Sequence, residues 1–287
     1  MKKYALYILF IMFIPTIAYG QSQYQDAQLF LSNVGFGAIS SGIGAIINKS
    51  KKEKWGRRFL KGISQGALGG CVTYLGKKAT YLIYENQALG YAWPAHILHA
   101  AGYSIIENAA QAKPFLQNWN FELGPVRFDY AFHQPHPLRT RLLPIIFLNI
   151  ADAKDVGGKF DPKTSLLMGQ LVYKTNALIG PHDFVGISYG RTVVYANFYG
   201  TIYEVLAHET VHNFQFQEYQ VINNYSTPLT NKIKNKVIRK IFTNYVYADI
   251  AYFWYAYDLQ GYHGQDYYRN YYEFEAERFA SNAPVLR

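Results

Sequence analysis

Two histidines separated by three residues constrain this chain more than any other feature of its sequence. His208, Glu209 and His212 lie in the segment VLAHETVHNF, residues 205–214. Four residues span just over one turn of an α-helix, so the two imidazoles project from one face and can bind the same ion. The flanking residues carry no charge, as a helix that crosses the interior of a domain requires. The segment predicts a buried helix over residues 201–219 with a metal site on one face.

Zinc is the metal that this pattern favours. Zn²⁺ is bound by two imidazoles and a carboxylate in many hydrolases, and a fourth position then remains for water. Glu209 follows the first histidine directly, so its carboxylate can take a proton from that water. We therefore expect one zinc ion per chain, bound by His208, His212 and one further carboxylate.

A second segment near the C-terminus supplies the candidate carboxylates. It reads YEFEAERFA over residues 272–280, and it predicts a helix over residues 268–280. Glu273 and Glu277 lie one turn apart on one face, whereas Glu275 points elsewhere. One of the two carboxylates can bind the metal while the next accepts a hydrogen bond from a ligand histidine.

Together these segments resemble the zincin metallopeptidases of the gluzincin type, in which a downstream glutamate is the third ligand. The second segment is similar to the pattern E-x-x-A-(D or N)-x-F-A, which occurs in integral-membrane prenyl-protein proteases and in small single-domain zincins. The resemblance implies that His208, His212 and Glu273 bind zinc and that Glu209 is the catalytic base. It also implies that Glu277 stands where the family has a supporting Asp or Asn, a departure that lengthens the side chain.

The expected reaction is hydrolysis of an amide bond in a protein or peptide substrate. Zinc polarises the scissile carbonyl and its bound water, and Glu209 passes the water's proton to the leaving amine. The developing oxyanion usually needs a second donor besides the metal. Tyr262, His263 and Tyr272 are candidates because they lie near Glu273 in the sequence, which does not choose among them.

The segment just before the metal helix allows two interpretations. Residues 191–196 alternate in the manner of a strand, with Thr192, Val194 and Ala196 on one side. This resembles the edge strand on which zincins pair an extended substrate. An ordinary core strand fits the same alternation.

The rest of the second half of the chain predicts strands followed by helices. Strand patterns occupy residues 120–130, 142–150, 165–174 and 184–198, and helical patterns occupy residues 201–219, 231–257 and 268–280. Such an order is typical of an α+β fold. We expect a zincin-like metallopeptidase domain over residues 113–287.

The first twenty residues have the layout of a secretory signal peptide. Lys2 and Lys3 precede an apolar run over residues 4–17, and small residues follow at Ala18 and Gly20. The sequence thus predicts an exported protein of the periplasm or cell envelope. An uncleaved N-terminal anchor is the alternative.

Residues 21–112 form a glycine-rich region with two uncharged stretches, residues 29–47 and 62–76. Seven of the chain's 28 basic residues lie between them, within residues 49–61. Gly62 and Gly66 have the spacing that lets two helices approach closely in a membrane. Residues 27–76 therefore predict a helical hairpin that is either inserted in a membrane or soluble or surface-associated. The second stretch is shorter than the ~20 residues needed to span a bilayer, which weighs against insertion.

Composition narrows the remaining function classes. A single cysteine, Cys71, excludes an intramolecular disulfide framework and a Cys-rich metal cluster. A formal charge of +9 is compatible with nucleic-acid binding. Because no basic–aromatic stripe accompanies the basic segment, however, we expect no nucleic-acid partner. Two alternatives to an enzyme remain: a catalytically inactive zincin-like binding or assembly protein of the cell envelope, and a membrane-associated structural protein.

Overall fold

The computed structural model describes residues 25–180, 183–197, 202–230, 232–247, 252–260 and 269–281, and the proposed signal peptide lies outside them. The α-helices are α1 Gln25–Ile47, α2 Trp55–Lys78, α3 Tyr81–Glu85, α4 Ala92–Ala110, α5 Ile145–Asp155, α6 Pro162–Met168, α7 Ile202–Tyr219, α8 Thr227–Thr230, α9 Lys236–Asn244, α10 Tyr252–Gln260 and α11 Tyr271–Ser281. The strands are β1 Asn118–Leu123, β2 Val126–Ala131, β3 Leu138–Leu142, β4 Lys159–Phe160, β5 Leu171–Thr175, β6 Gly186–Ser188 and β7 Thr192–Ala196. Short 3-10 helices occupy Leu89–Tyr91 and Gln220–Ser226.

Helices α1 and α2 form a tight hairpin because glycines line their interface. A Cβ atom on Gly37 would lie 2.4 Å from the carbonyl oxygen of Gly66, and one on Gly70 would lie 2.4 Å from that of Asn33. Real Cβ contacts are longer, so only glycine permits this separation of the two helix axes. Helix α4 packs against the same hairpin, and a Cβ atom on Gly69 of α2 would lie 2.6 Å from the side chain of Ile106.

By length and composition, α1 could cross a membrane, a test that interior helices and signal sequences also pass. The hairpin also makes polar contacts with the C-terminal helix. Asn33 donates to Oε1 of Glu275 at 2.7 Å, and both side chains are buried. The glycine-rich region is thus joined to α11 through the protein interior, and its insertion in a bilayer stays a prediction.

Two small sheets carry the strands. The first is an antiparallel meander in the order β1-β2-β3, with Gly124 at a positive φ of 53° in the β1–β2 turn. The second has the order β4-β5-β7-β6, in which β5 and β7 are parallel and the other pairs antiparallel.

Helix α7 lies on the second sheet, and this contact positions the metal motif. Leu206 and Ala207 are completely buried and belong to one apolar cluster with Val172 of β5 and Val193 of β7. The uncharged residues before His208 therefore anchor the helix to the sheet, which leaves the histidines on another face.

The position of β7 decides between the two interpretations of residues 191–196. All five residues of β7 are buried, and the strand pairs with β5 on one side and β6 on the other. It is a core strand, because the chain turns at Gly190 (φ 71°) and places β6 outside it. Within the described residues, β6 is the edge strand next to α7.

Residues 120–130 and 184–198, each predicted as one strand, instead contain two strands with a turn between them: most of β1 and β2 in the first range, and β6 and β7 in the second. Two further predicted elements are wrong in type or extent. Residues 142–150 are mostly helical rather than a strand, because Pro144 precedes α5 with a φ of −62°, a dihedral that suits the start of a helix. Residues 231–257 are not one helix: α9 ends at Asn244. Leu142 then donates to the carbonyl of Tyr245 at 2.8 Å and accepts from Tyr247 at 2.9 Å, which extends the chain beside β3.

Of the strand predicted at residues 165–174, only the second half is a strand in the structure. Asp161 caps α6 by accepting from the backbone N–H of Thr164 at 3.1 Å, and Pro162 occupies the first turn. Gly169 ends that helix at a φ of 68°, and β5 begins at Leu171. The helix predicted from residue 201 agrees with α7, and the one predicted from residue 268 with α11.

A cluster of aromatic side chains joins α7, α10 and α11. Phe216, Tyr219 and Tyr272 each pack edge to face on Phe253, and Phe274 belongs to the same cluster. These rings hold α7 and α11 side by side, which brings the two sequence segments of the predicted metal site together.

Candidate metal centre

Three nitrogen and oxygen atoms from α7 and α11 converge on one point. Nε2 of His208 lies 3.1 Å from Nε2 of His212 and 3.2 Å from Oε2 of Glu273. The remaining edge, from Nε2 of His212 to Oε2 of Glu273, measures 3.3 Å. The structure therefore brings all three predicted ligands into one triangle.

The size of this triangle is close to that of a zinc site. A tetrahedral zinc site with bonds of 2.0–2.2 Å places its ligand atoms about 3.3–3.6 Å apart, and the edges here measure 3.1–3.3 Å. His212 and Glu273 are buried, and His208 is only slightly exposed at the mouth of the site. The chemistry of the donors fits as well, since two imidazoles and one carboxylate oxygen are common zinc ligands.

Glu209 lies beside the triangle without joining it. Its side chain is buried, and within the described residues no hydrogen-bond partner reaches its Oε2 atom. Gly186 of β6 makes room for it, since a Cβ there would lie 2.9 Å from Oε1 of Glu209. Burial raises the pKa of Glu209, and the nearby charges of His208 and His212 oppose this shift.

Each histidine ligand is oriented through its other ring nitrogen. Nδ1 of His212 lies 2.8 Å from Oε1 of Gln215, whose amide nitrogen donates to the carbonyl of Tyr272 and to Glu275. Because that amide nitrogen is already a donor elsewhere, Oε1 must accept, and His212 carries its proton on Nδ1. The lone pair of Nε2 is then directed at the ion-sized gap.

Glu277 holds the other histidine. Its Oε2 atom lies 3.3 Å from Nδ1 of His208, on the side of the ring opposite Glu273. The carboxylate accepts a hydrogen bond from Nδ1–H, which leaves Nε2 of His208 to face the site.

Tyr257 of α10 fixes the carboxylate ligand. Its hydroxyl donates to Oε1 of Glu273, whereas Oε2 of the same carboxylate faces both histidines. The two oxygens of Glu273 therefore have separate partners, which favours binding of a metal through one oxygen.

The electrostatics of the cluster favour a cation. Burial alone would lower the pKa of His208, but its hydrogen bonds to Glu273 and Glu277 raise that pKa to about 10. Burial alone would raise the pKa of Glu273, but His212 and His208 more than reverse that effect and hold this pKa well below its ordinary value. Both shifts mean that the carboxylates attract positive charge here, which either protons or a metal ion can supply.

A buried ionic network supports the site from behind. Oε2 of Glu275 accepts from Gln215 at 2.9 Å and from Nζ of Lys77 at 2.8 Å. Lys77 also donates to Glu218 at 2.7 Å, and its side chain is only 2% exposed. Lys77 belongs to α2, so a chain of hydrogen bonds joins the glycine-rich hairpin to His212 through Glu275 and Gln215.

Of the three predicted oxyanion donors, Tyr272 lies within the described residues, and Tyr262 and His263 lie outside them. The hydroxyl of Tyr272 is hydrogen bonded to that of Tyr219 within the aromatic cluster. Tyr257, whose ring stacks on that of Tyr272, is the tyrosine whose hydroxyl reaches a ligand.

Sequence reasoning missed three contributors to the site. Gln215 follows His212 by three residues, so helical spacing was a signal that could have found it. The sequence carries no signal for Tyr257, because its position depends on the packing of α10 beside α11. Gly186 stands in β6, whose proximity to Glu209 depends on the order of strands in the sheet.

Comparison of the chain with protein-family models, with curated proteins and with solved structures finds no match in any of the three.

Proposed function

We propose that this chain is an exported zinc-dependent peptidase that hydrolyses peptide bonds in a protein or peptide substrate. The observation that carries the proposal is the triangle of His208, His212 and Glu273 donor atoms, with edges of 3.1–3.3 Å, beside the buried carboxylate of Glu209. The zincin-like α+β domain over residues 113–287 belongs to the same proposal.

Glu209 acts as the general base and then as the general acid. When bound, zinc polarises the substrate carbonyl and makes a water molecule a stronger nucleophile at neutral pH. Glu209 takes a proton from the attacking water as the bond from water oxygen to carbonyl carbon forms. It gives that proton to the nitrogen as the C–N bond breaks, so the amine leaves neutral.

The surrounding residues keep the ligands in position during the reaction. Glu277 and Gln215 fix the tautomers of His208 and His212, and Tyr257 holds one oxygen of Glu273. These contacts support the proposal because hydrolytic zinc sites depend on such partners for metal affinity and for the geometry of the ligands.

The edge strand β6 is the surface on which we place the substrate. Gly186 contacts the side chain of Glu209, so a peptide extended along β6 would pass close to the catalytic carboxylate. Main-chain hydrogen bonds to an exposed strand edge would bind such a peptide with little dependence on its sequence.

Export to the periplasm or cell envelope is proposed from residues 1–20 alone, which lie outside the described residues. A basic start, an apolar run and small residues at Ala18 and Gly20 support a signal peptide.

The decisive experiment compares Glu209→Gln with the unaltered chain in digestion of a peptide library, with one equivalent of zinc supplied. We expect cleavage to fall by about 10²–10⁴-fold, the usual contribution of a general base. Glu85→Gln is the matched control, since Glu85 is an exposed carboxylate on α3. Equal cleavage by Glu209→Gln and the unaltered chain would refute the role of Glu209. A zinc-loaded chain that cleaves no peptide would refute the peptidase and favour the inactive binding protein.

A further inference from the structure

Helix α9 is amphipathic, and its apolar side faces outward. At 100° per residue, the side chains of Val237, Ile238, Ile241 and Phe242 fall within an arc of about 140°. Together with Tyr245, just after the helix, they are between 41% and 67% exposed. None of the nine residues of α9 is buried.

The opposite side of the same helix is polar and differs in exposure along its length. Arg239, Thr243 and Asn244 are only partly exposed, whereas Lys236 and Lys240 on that side are exposed. The carbonyl of Thr243 accepts from Nη1 of Arg139 at 3.1 Å. The backbone pairing of Tyr245 with Leu142 fixes the end of the helix on β3. The outward direction of the apolar side is therefore set by hydrogen bonds.

We call this apolar surface the α9 face and define it as Val237, Ile238, Ile241, Phe242 and Tyr245. At 100° per residue, Arg239 and Lys240 lie about 60° beyond the two ends of its apolar arc. The cations of the segment are Lys232, Lys234, Lys236, Arg239 and Lys240. Residues 231–248 contain no Asp or Glu, so no carboxylate of the segment offsets these charges. The exposed side chain of Arg139 adds a further cation from β3.

We propose that the α9 face docks on the surface of a lipid bilayer that carries anionic headgroups. Apolar side chains on one side of a helix, with lysines and arginines at its margins, enter the boundary between acyl chains and headgroups while the cations stay at headgroup level. A bilayer with anionic headgroups fits this face because the charges of the segment are all of one sign. This surface is independent of the metal site and of any insertion of α1.

The test measures the environment of α9 itself in the full chain, so a second membrane contact elsewhere does not obscure it. Cys71→Ser removes the native cysteine. Ile238→Cys, labelled with an environment-sensitive fluorophore, then reports on the α9 face. Leu166→Cys is the control, since Leu166 is exposed on α6, a helix with no cluster of cations.

With vesicles of phosphatidylcholine and phosphatidylglycerol, we expect a blue shift of the fluorophore at position 238 and none at position 166. Pure phosphatidylcholine should give little shift, and high salt should reverse the shift by screening the charges. Combining Lys236→Gln and Lys240→Gln should weaken binding about fivefold for each lysine. An unshifted fluorophore at position 238 with the anionic vesicles, as expected if the face binds an acidic protein, would overturn the proposal. Equal shifts at both positions would do the same.

Discussion

The position of the proton on His208 and on His212 is the residue-scale property on which the proposed metal site depends. His212 is fixed by the amide of Gln215, and His208 by the carboxylate of Glu277. A neutral amide fixes a tautomer, whereas a carboxylate also makes the imidazole more basic and a stronger ligand. The two histidines are thus supported by different chemistry, and the effect of removing each support can be measured separately.

Removing the support of His208 should weaken zinc binding. We expect Glu277→Leu to lower the affinity for zinc by about 10–100-fold, because the Nδ1 proton of His208 loses its acceptor. Glu277→Gln keeps an acceptor oxygen and should retain most of the affinity. Competition with a chromophoric zinc chelator measures both, and equal affinity of Glu277→Leu and the unaltered chain would contradict the role of Glu277.

At this scale the sequence predicted which three candidate ligands lie together, but not the residues that surround them. His208 and His212 share a helix, so local spacing alone was enough to pair them. Glu273 required a resemblance, because sequence spacing cannot place two distant helices side by side. Tyr257 depends on the packing of α10 against α11, which arises from the aromatic cluster and has no local signature.

At the scale of elements, the glycines between α1 and α2 give a sharp test of packing. Gly37→Ala places a Cβ atom 2.4 Å from the carbonyl oxygen of Gly66, so the hairpin must open and the free energy of unfolding should fall by about 1–3 kcal/mol. Gly35→Ala on the same helix meets no atom within 4 Å and should raise it by about 0.5–1 kcal/mol. Chemical denaturation measures both, and the same sign for the two variants would refute the close packing.

The β1–β3 meander should lose stability in acid. Asp129 accepts from Nε of Arg141 at 2.7 Å and from Nε of Arg127 at 3.0 Å. Burial raises the pKa of Asp129, but these guanidinium groups lower it from 3.8 to about 2. A carboxyl with a lowered pKa in the folded state stabilises the protein above pH 4, and this contribution is lost as the pH falls towards 2.

The predicted size of that contribution is about 2 kcal/mol. Unfolding of the chain and of Asp129→Asn by denaturant at pH 5 and at pH 2 measures it. We expect the gap in unfolding free energy between the two proteins to shrink by about that amount at the lower pH. A gap that stays constant would show that Asp129 does not titrate in this range.

Elements were predicted correctly where local signals and packing agree. Helix α7 has an uncharged side for the sheet, and α11 has its aromatic side for the core. Pro144 was a start signal for α5 within an apolar run that otherwise suggested a strand. The end of α9 was not predictable, because Tyr245 and Tyr247 leave the helical path to pair with Leu142, about a hundred residues earlier.

For the whole molecule, Lys77 is the link between the glycine-rich hairpin and the metal half. Its ammonium group lies between the carboxylates of Glu218 and Glu275 and is almost entirely buried. Burial lowers the pKa of Lys77, but these two carboxylates more than reverse the shift, so the lysine stays charged. Because Glu275 also accepts from Gln215, the hairpin and the metal site share one set of buried charges.

Breaking that link should destabilise the molecule as one unit. Lys77→Met leaves two buried carboxylates unpaired, and we expect a loss of about 3–5 kcal/mol of unfolding free energy. Lys78→Met is the control, because Lys78 forms a partly exposed ion pair with Asp26 at 3.1 Å, worth about 0–1 kcal/mol. Thermal unfolding followed in the hairpin and in the metal half should give a single transition; separate transitions would contradict a shared interior.

The most direct test of the account is the zinc content of the purified chain, measured by mass spectrometry of the metal together with protein concentration. We predict about one zinc per chain, retained by Glu209→Gln and lost in a variant that combines His208→Ala with His212→Ala. The control combines His133→Ala with His136→Ala, a pair exposed beside β3, and should keep its zinc. A chain that binds no zinc when it is supplied, or that binds it equally well without His208 and His212, would contradict the metal centre.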